Sequence, residues 1–177
     1  RRGRLSALLD PIYMLPLATS AVTLGFGFII ALDEPPLNLR TSRALIVIAH
    51  TLVAMPFVVR SVLPALRSIS PGVRGAAAML GASPATVLRL IDLPLIGRGL
   101  IVGATFAFTV SMGEFGASSF VARPDTPTMP LVIYRLLGQP GAINYGQALA
   151  MSVILMGVCA ISFLLIERAR TLGIGEF

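Results

Sequence analysis

Several residue types are rare or missing in this chain of 177 residues. All 14 basic residues are arginines, because the sequence contains no lysine. A phosphate-binding G-x-x-x-x-G-K-[ST] loop needs a lysine, so the chain holds no nucleotide site of that type. The single cysteine, Cys159, excludes an internal disulfide and a cysteine metal cluster. We therefore expect this chain to bind no cofactor and no metal.

The composition indicates a membrane protein. Apolar residues make up 55% of the chain, charged residues only 12%, and the mean hydropathy is +0.87. These values exceed what a soluble domain needs. The net charge of +6 comes from arginines that flank apolar segments. The positive-inside rule explains this charge more simply than a nucleic-acid partner does, so we expect a membrane and no nucleic acid.

Four apolar segments are long enough to be membrane helices, since about 20 residues cross the hydrocarbon core. They predict spans at residues 12–32, 44–63, 95–113 and 146–166. The predicted fold class is all-α, a polytopic membrane helical bundle in a single domain over residues 1–177. Because the chain begins at Arg1 and not at a methionine, we expect it to be a piece of a longer protein.

A short semi-polar stretch, residues 71–94, separates the second and third predicted spans. A first short helix should end at Gly81, where a left-handed residue closes a helix. Ser83 followed by Pro84 is an N-cap with a proline at the first helical position, so a second helix should start there. Pro94 disfavours the continuation of that second helix. The pattern predicts two short helices joined at a glycine, and this stretch is called the elbow below.

Small side chains recur every four residues along the third predicted span, at Gly99, Gly103, Ala107 and Ser111. Such a stripe lets another helix approach closely, which predicts that this span is central to the bundle. Glu114 follows at the end of the span. It either faces water or, together with Ser111, lines a translocation cavity.

His50 lies in the middle of the second predicted span. An ionisable residue at membrane depth is a functional candidate, so His50, Ser111 and Glu114 are the candidate residues of a translocation path. The alternative for His50 is a hydrogen-bonded contact between helices, since no second metal ligand is evident nearby.

The distribution of arginines predicts the orientation. Ten of the 14 arginines fall on the side of the elbow and four on the other side. The positive-inside rule therefore places the elbow and both termini in the cytoplasm. Between the last two spans, the apolar run 131–137 is too short to cross the membrane and should form a short helix on the outer face.

The elbow resembles the cytoplasmic loop of inner-membrane permeases of binding-protein-dependent ABC importers. That loop carries the pattern E-A-A, three residues, G, nine residues, I-x-L-P. Residues at matching positions are Ala76, Ala77, Gly81, Ile91, Leu93 and Pro94. Gly75 departs from the family by standing where glutamate is frequent. The resemblance implies that an ATPase is contacted by Gly75, Ala76, Ala77, Gly81, Ala82, Ser83, Arg89, Ile91, Leu93 and Pro94.

The resemblance also implies the rest of an importer of type I. A cytoplasmic ATPase dimer would bind ATP and Mg, a periplasmic or lipid-anchored protein would deliver the solute, and a second permease core would complete the path in the bacterial inner membrane. At least one span would precede residue 1. The motif G-E-F-G-A at 113–117 looks like permeases for oxyanions, iron(III) and thiamine, and residues 128–138 look like the thiamine and iron(III) permeases. The resemblance therefore implies thiamine or iron(III) as the solute. It also implies that this chain is the C-terminal half of a permease with two cores.

Two other classes of function stay open. A secondary transporter or channel would work without ATP, but more ionisable residues would be expected at its midplane. An intramembrane enzyme would need a nucleophile with a base, or clustered metal ligands. The one histidine, the one cysteine and the one near-buried acid fall on three different spans and form no such group.

Overall fold

The computed structural model describes residues 4–40 and 42–172, with side chains over 11–40 and 42–168. Within these ranges the chain is helical apart from turns and one isolated bridge, so the all-α prediction is confirmed. In chain order, the elements are α1 (Arg4–Ala18), α2 (Ala21–Leu32), α3 (Ala44–Ser68), α4 (Pro71–Met79), α5 (Pro84–Val87), a π turn (Leu88–Asp92), α6 (Leu93–Met112), α7 (Ser118–Val121), α8 (Met129–Leu137) and α9 (Ala142–Leu172).

Three helices are long and apolar enough to cross a membrane, and they correspond to the second, third and fourth predicted spans. They are α3, the unbroken helix Pro84–Met112, and residues Ala142–Arg168 of α9. The helix Pro84–Met112 consists of α5, the π turn and α6, and is called the span-three helix below. The ends of α3 and the span-three helix that lie away from the elbow are called their far ends.

Residues 12–32, predicted as one span, form two helices with a sharp bend between them. The axes of α1 and α2 differ by 106°, so this pair is at most one broken span. Local chemistry explains the break. Pro16 lacks an N–H for the helix, the Thr19 hydroxyl donates to the Leu15 carbonyl at 3.0 Å, and Ser20 is extended with ψ of 134°.

The prediction that Pro94 ends the second elbow helix is also wrong, because helical backbone continues through it to Met112. A proline in a helix removes one donor, and its ring clashes with a carbonyl of the preceding turn. Here the π turn lies just before the proline, and the Leu93 N–H donates to the Leu88 carbonyl five residues back. The wider turn leaves room for the ring. The elbow is therefore one short helix, α4, and the first turns of a membrane helix.

A buried core lies at the far end of α3. It joins Leu45 and Ala49 of α3 to Ala117 and Val121. Helix α2 packs against the same place, where a Cβ on Gly25 would lie 2.7 Å from the Cα of Ala117. Only glycine permits this approach, so the backbone of α2 and the turn before α7 are in direct contact.

The remaining predictions concern the later part of the chain and its ends. The short helix predicted at 131–137 is confirmed as α8, which packs on α9. Helix α7 lies between the last two predicted spans, where the only helix predicted was the one at 131–137. The predicted cytoplasmic termini, with Arg1 and Arg2, lie outside the described residues.

Candidate functional site: the elbow and the far-end cluster

Backbone hydrogen bonds and caps define where the helices of the elbow end and begin. The Ser70 hydroxyl accepts the Gly72 N–H at 3.3 Å at the start of α4. At its end, Gly81 adopts φ of +84°, and the Ala82 N–H donates to the Ala77 carbonyl at 3.0 Å. A left-handed glycine with such a bond is a standard helix stop. The chain therefore turns sharply just after α4.

The second arm of the elbow starts at the predicted cap. The Ser83 hydroxyl accepts the Thr86 N–H at 3.2 Å, and Pro84 occupies the first turn. From this cap, helical backbone continues into the membrane-length span-three helix. The second arm is thus continuous with the span.

The turn between the two arms presents apolar side chains to the surroundings. Met79 is 88% exposed and Leu80 is 89% exposed, and no residue of α4 is buried. The ten predicted ATPase-contact residues lie along α4, the turn and the start of the span-three helix. Seven of them are exposed, namely Gly75, Ala76, Gly81, Ser83, Arg89, Leu93 and Pro94, whereas Ala77, Ala82 and Ile91 are partly buried.

Sequence reasoning missed one ion pair in the elbow. The Arg74 Nε donates to the Asp92 Oδ1 at 2.8 Å and so joins α4 to the π turn. The Asp92 side chain is only 13% exposed, while that of Arg74 is 38% exposed. Asp92 is the only acid between Glu34 and Glu114 in the sequence. The sequence did carry a signal for this ion pair, because Asp92 is an isolated acid and an arginine lies on the other side of the predicted bend.

A second polar group, the far-end cluster, consists of His50, Ser111, Glu114 and Ser118. Glu114 is only 6% exposed, so the expectation that it faces water is wrong. Its carboxylate accepts the Ala117 N–H at 2.7 Å, the Ser118 N–H at 2.8 Å and the Ser118 hydroxyl at 2.6 Å. Glu114 therefore fixes the start of α7.

His50 connects the far ends of three elements through this cluster. When Glu114 is a carboxylate, the Ser118 hydroxyl donates its proton to that carboxylate. The Ser118 oxygen then accepts a hydrogen bond from His50 Nε2, which lies 2.9 Å away. A neutral His50 then accepts the Ser111 hydroxyl at Nδ1, 2.8 Å away. Both ring nitrogens are bonded, which agrees with the alternative of a hydrogen-bonded contact between helices.

A cavity of about 660 Å³ opens beside the cluster. His50 and Ser111 are among its lining residues, whereas Glu114 is not. The lining is largely apolar and consists of Ile46, Val47, His50, Thr51, Ala54, Met55, Val58, Ala107, Phe108, Ser111 and Thr128. Over the described side chains, no three histidine, cysteine or acidic residues come close enough to hold a metal ion.

The stripe of small residues faces α3. A Cβ on Gly99 would lie 2.8 Å from the Ser61 carbonyl oxygen, and one on Gly103 would lie 3.3 Å from the Cα of Val58. Ala107 continues the stripe and lines the cavity. The two helices thus touch through backbone between the elbow and the far-end cluster.

Comparison with known proteins relates the chain to transport permeases. Residues 1–170 match the family described as "Binding-protein-dependent transport system inner membrane component". The chain is 28% identical to the putative 2-aminoethylphosphonate transport system permease protein PhnV of Salmonella paratyphi A, covering 93% of this chain and 62% of that protein. It therefore spans less than two thirds of this relative's length.

Two further relatives are named for molybdenum. Identity is 33% with the molybdenum transport system permease protein ModB of Mycobacterium bovis, over 97% of this chain and 69% of the relative. Identity is 31% with ModB of Escherichia coli, over 91% of this chain and 76% of that relative. None of these three names mentions thiamine or iron(III). With its membrane helices and its elbow, the chain belongs to the family of binding-protein-dependent transport system inner membrane components.

Proposed function

We propose that this chain is part of the permease subunit of an ABC importer and that a separate cytoplasmic ATPase holds it by the elbow. The observation that carries the proposal is the exposed tip of the elbow. Met79 and Leu80 are almost fully exposed beside the start of a membrane helix. An exposed apolar group on a capped, well-defined helix is typical of a surface that another protein covers.

The continuity of the second arm gives the elbow a mechanical role. The span-three helix has 29 residues from Pro84 to Met112 and so is about 43 Å long. A push at the turn is passed along this helix to the far-end cluster, because a packed helix moves as one body. The contact with α3 at Gly99 and Gly103 makes α3 move with it.

The proposed assembly follows from the family and the charge distribution. The elbow and both ends of this segment lie in the cytoplasm of a bacterium, and the spans lie in its inner membrane. ATP and Mg are bound by the ATPase dimer. A periplasmic or lipid-anchored binding protein delivers the solute to the far end, and a second permease core completes the path.

For the solute we propose a small oxyanion. The relatives named above carry 2-aminoethylphosphonate and molybdenum in their names, and a phosphonate is a tetrahedral oxyanion, as is molybdenum dissolved as molybdate. Thiamine or iron(III), expected from local motifs, is the second proposal. Titration of the partner binding protein with 2-aminoethylphosphonate, molybdate, thiamine and ferric iron separates them, because only the true solute binds tightly.

The substitution Gly81→Val tests the coupling role. A β-branched residue is strained at φ of +84°, and roughly 1–2 kcal/mol of strain moves the turn out of its native conformation. In proteoliposomes containing the permease, its ATPase and its binding protein, we expect ATP-driven uptake to fall about tenfold. Gly72→Ala is the matched control, since its Cβ would meet only the Ser70 hydroxyl at 3.5 Å.

Two results would contradict the proposal. Unchanged uptake by the Gly81→Val permease would remove the coupling role of the elbow. Uptake that needs no ATP, with no ATPase co-purifying with the wild-type chain, would instead identify a secondary transporter or channel.

A further inference from the structure

The geometry points to Arg74 and Asp92 as positioning residues that hold α4 at a fixed angle to the span-three helix. They transmit the movement of the elbow and need not touch the ATPase. This inference rests on the proposed function. It adds a specific requirement, namely that transport per ATP depends on the ion pair while binding of the ATPase does not.

The first argument is that α4 lacks an apolar anchor. No residue of Pro71–Met79 is buried, so hydrophobic packing does not fix the direction of this helix. Its start is fixed by the Ser70 cap and its end by the bonds around Gly81. Caps define where a helix ends, but they leave its angle to the next helix adjustable. A contact that crosses the bend is needed to set that angle.

The Arg74–Asp92 pair crosses the bend. The two residues are 18 positions apart, and the Arg74 Nε lies 2.8 Å from the Asp92 Oδ1. Ion pairs in full solvent contribute little. Here the Asp92 side chain is 13% exposed, so the pair is partly shielded from water and its loss is costly.

The position of Asp92 in the π turn gives the pair a second effect. The turn Leu88–Asp92 breaks the regular hydrogen bonding, and Pro94 removes one further donor. A helix bends most easily at such a place. Arg74 therefore braces the span-three helix at its weakest point, and the push on α4 displaces the span without bending it there.

Unequal burial predicts unequal effects of the two neutralising substitutions. Arg74→Gln leaves the nearly buried Asp92 carboxylate without its cation, which is unfavourable. Asp92→Asn leaves only the Arg74 guanidinium, which reaches water. The double variant Arg74→Gln with Asp92→Asn has no buried charge, so it should behave like Asp92→Asn and better than Arg74→Gln.

The test is solute transported per ATP hydrolysed in proteoliposomes, together with co-purification of the ATPase. We expect this ratio to fall about tenfold for Arg74→Gln, and about threefold for Asp92→Asn and for the double variant. Arg74→Lys keeps a cation within reach and should stay within about twofold of wild type. The control Arg98→Gln removes an exposed arginine from the span-three helix, which also carries Asp92, and should leave the ratio unchanged. All variants should co-purify with the ATPase.

Three outcomes would overturn the inference. The first is that Arg74→Gln and Asp92→Asn both transport as much solute per ATP hydrolysed as the wild type. The second is a double variant as impaired as Arg74→Gln, since Arg74 would then act through the ATPase or a lipid phosphate. The third is loss of ATPase binding by Asp92→Asn. If the Arg74→Gln permease does not assemble, the solute transported per ATP by Asp92→Asn and Arg74→Lys still tests the inference. Failure of the proposed function is distinct, because the wild-type chain itself would then show no ATP-driven transport.

Discussion

The two ends of the pair formed by α3 and the span-three helix are stabilised in different ways. At the elbow, capped turns and one ion pair hold a helix that has no buried residue. At the far end, Glu114 and Ser118 are buried and Glu114 alone accepts three hydrogen bonds. This difference in stabilisation corresponds to two different roles. The elbow keeps its shape while its surface stays open to a partner, whereas the far-end cluster joins elements through hydrogen bonds that are buried or partly buried.

The largest effect on stability should come from Glu114→Leu. This change leaves the N–H groups of Ala117 and Ser118 buried without an acceptor, and we expect the free energy of unfolding to fall by about 3 kcal/mol. Unfolding by SDS in mixed micelles measures it. Glu114→Gln keeps one acceptor oxygen and should cost about 1 kcal/mol. Equal effects of both substitutions would show that the far end does not depend on these bonds.

A smaller effect should come from the contact that separates the two ends. A Cβ on Gly99 would lie 2.8 Å from the Ser61 carbonyl oxygen and 3.3 Å from the Cα of Val62, so Gly99→Ala must push backbone apart. We expect a loss of about 1–3 kcal/mol. The control Gly97→Ala meets nothing within 4 Å on the same helix. If the two variants lose the same free energy of unfolding, the two helices are not in the close contact described here.

The smallest effect should come from an ion pair in water. The Arg123 Nε donates to Asp125 at 3.0 Å, and this hydrogen bond lowers the pKa of the Asp125 carboxyl. A lowered pKa in the folded state means that the contribution is present above the ordinary pKa of aspartate and is lost as pH falls through the lowered value. Because the carboxyl is fully exposed, solvent screens it.

We therefore expect Asp125→Asn to leave the SDS unfolding curve unchanged at neutral pH. The comparison with Asp92→Asn is informative because both substitutions remove a carboxylate from an arginine. If SDS unfolding of the Asp125→Asn and Asp92→Asn variants shows equal losses of stability, burial does not distinguish the two pairs.

Features that depend on a few neighbouring residues could be predicted from the sequence. The stop at Gly81 and the start at Ser83 follow from local chemistry, and both are found. The stripe at Gly99 and Gly103 is another local pattern, and these glycines do face a helix. Long apolar segments likewise predicted three of the membrane helices.

Features that depend on distant partners could not be predicted in this way. Pro94 is accommodated because a π turn precedes it, and the sequence carries no clear signal for a π turn. Glu114 is buried because α7 supplies its donors, and that short helix was not expected. The break at Ser20 needed the joint effect of a proline and a threonine hydroxyl. Arg74 and Asp92 meet only once the bend has formed.

The central claim is that α4 and the span-three helix move as one body when the ATPase acts. Spin labels at Val73→Cys and Leu95→Cys, both exposed sites, would report their separation in a Cys159→Ser background. Pulsed EPR on the complex with the ATPase should find a distance that changes by less than about 2 Å between ATP-free and ATP-bound states. A change of more than about 5 Å, one helical turn, would contradict the account, because the elbow would then flex instead of transmitting the movement.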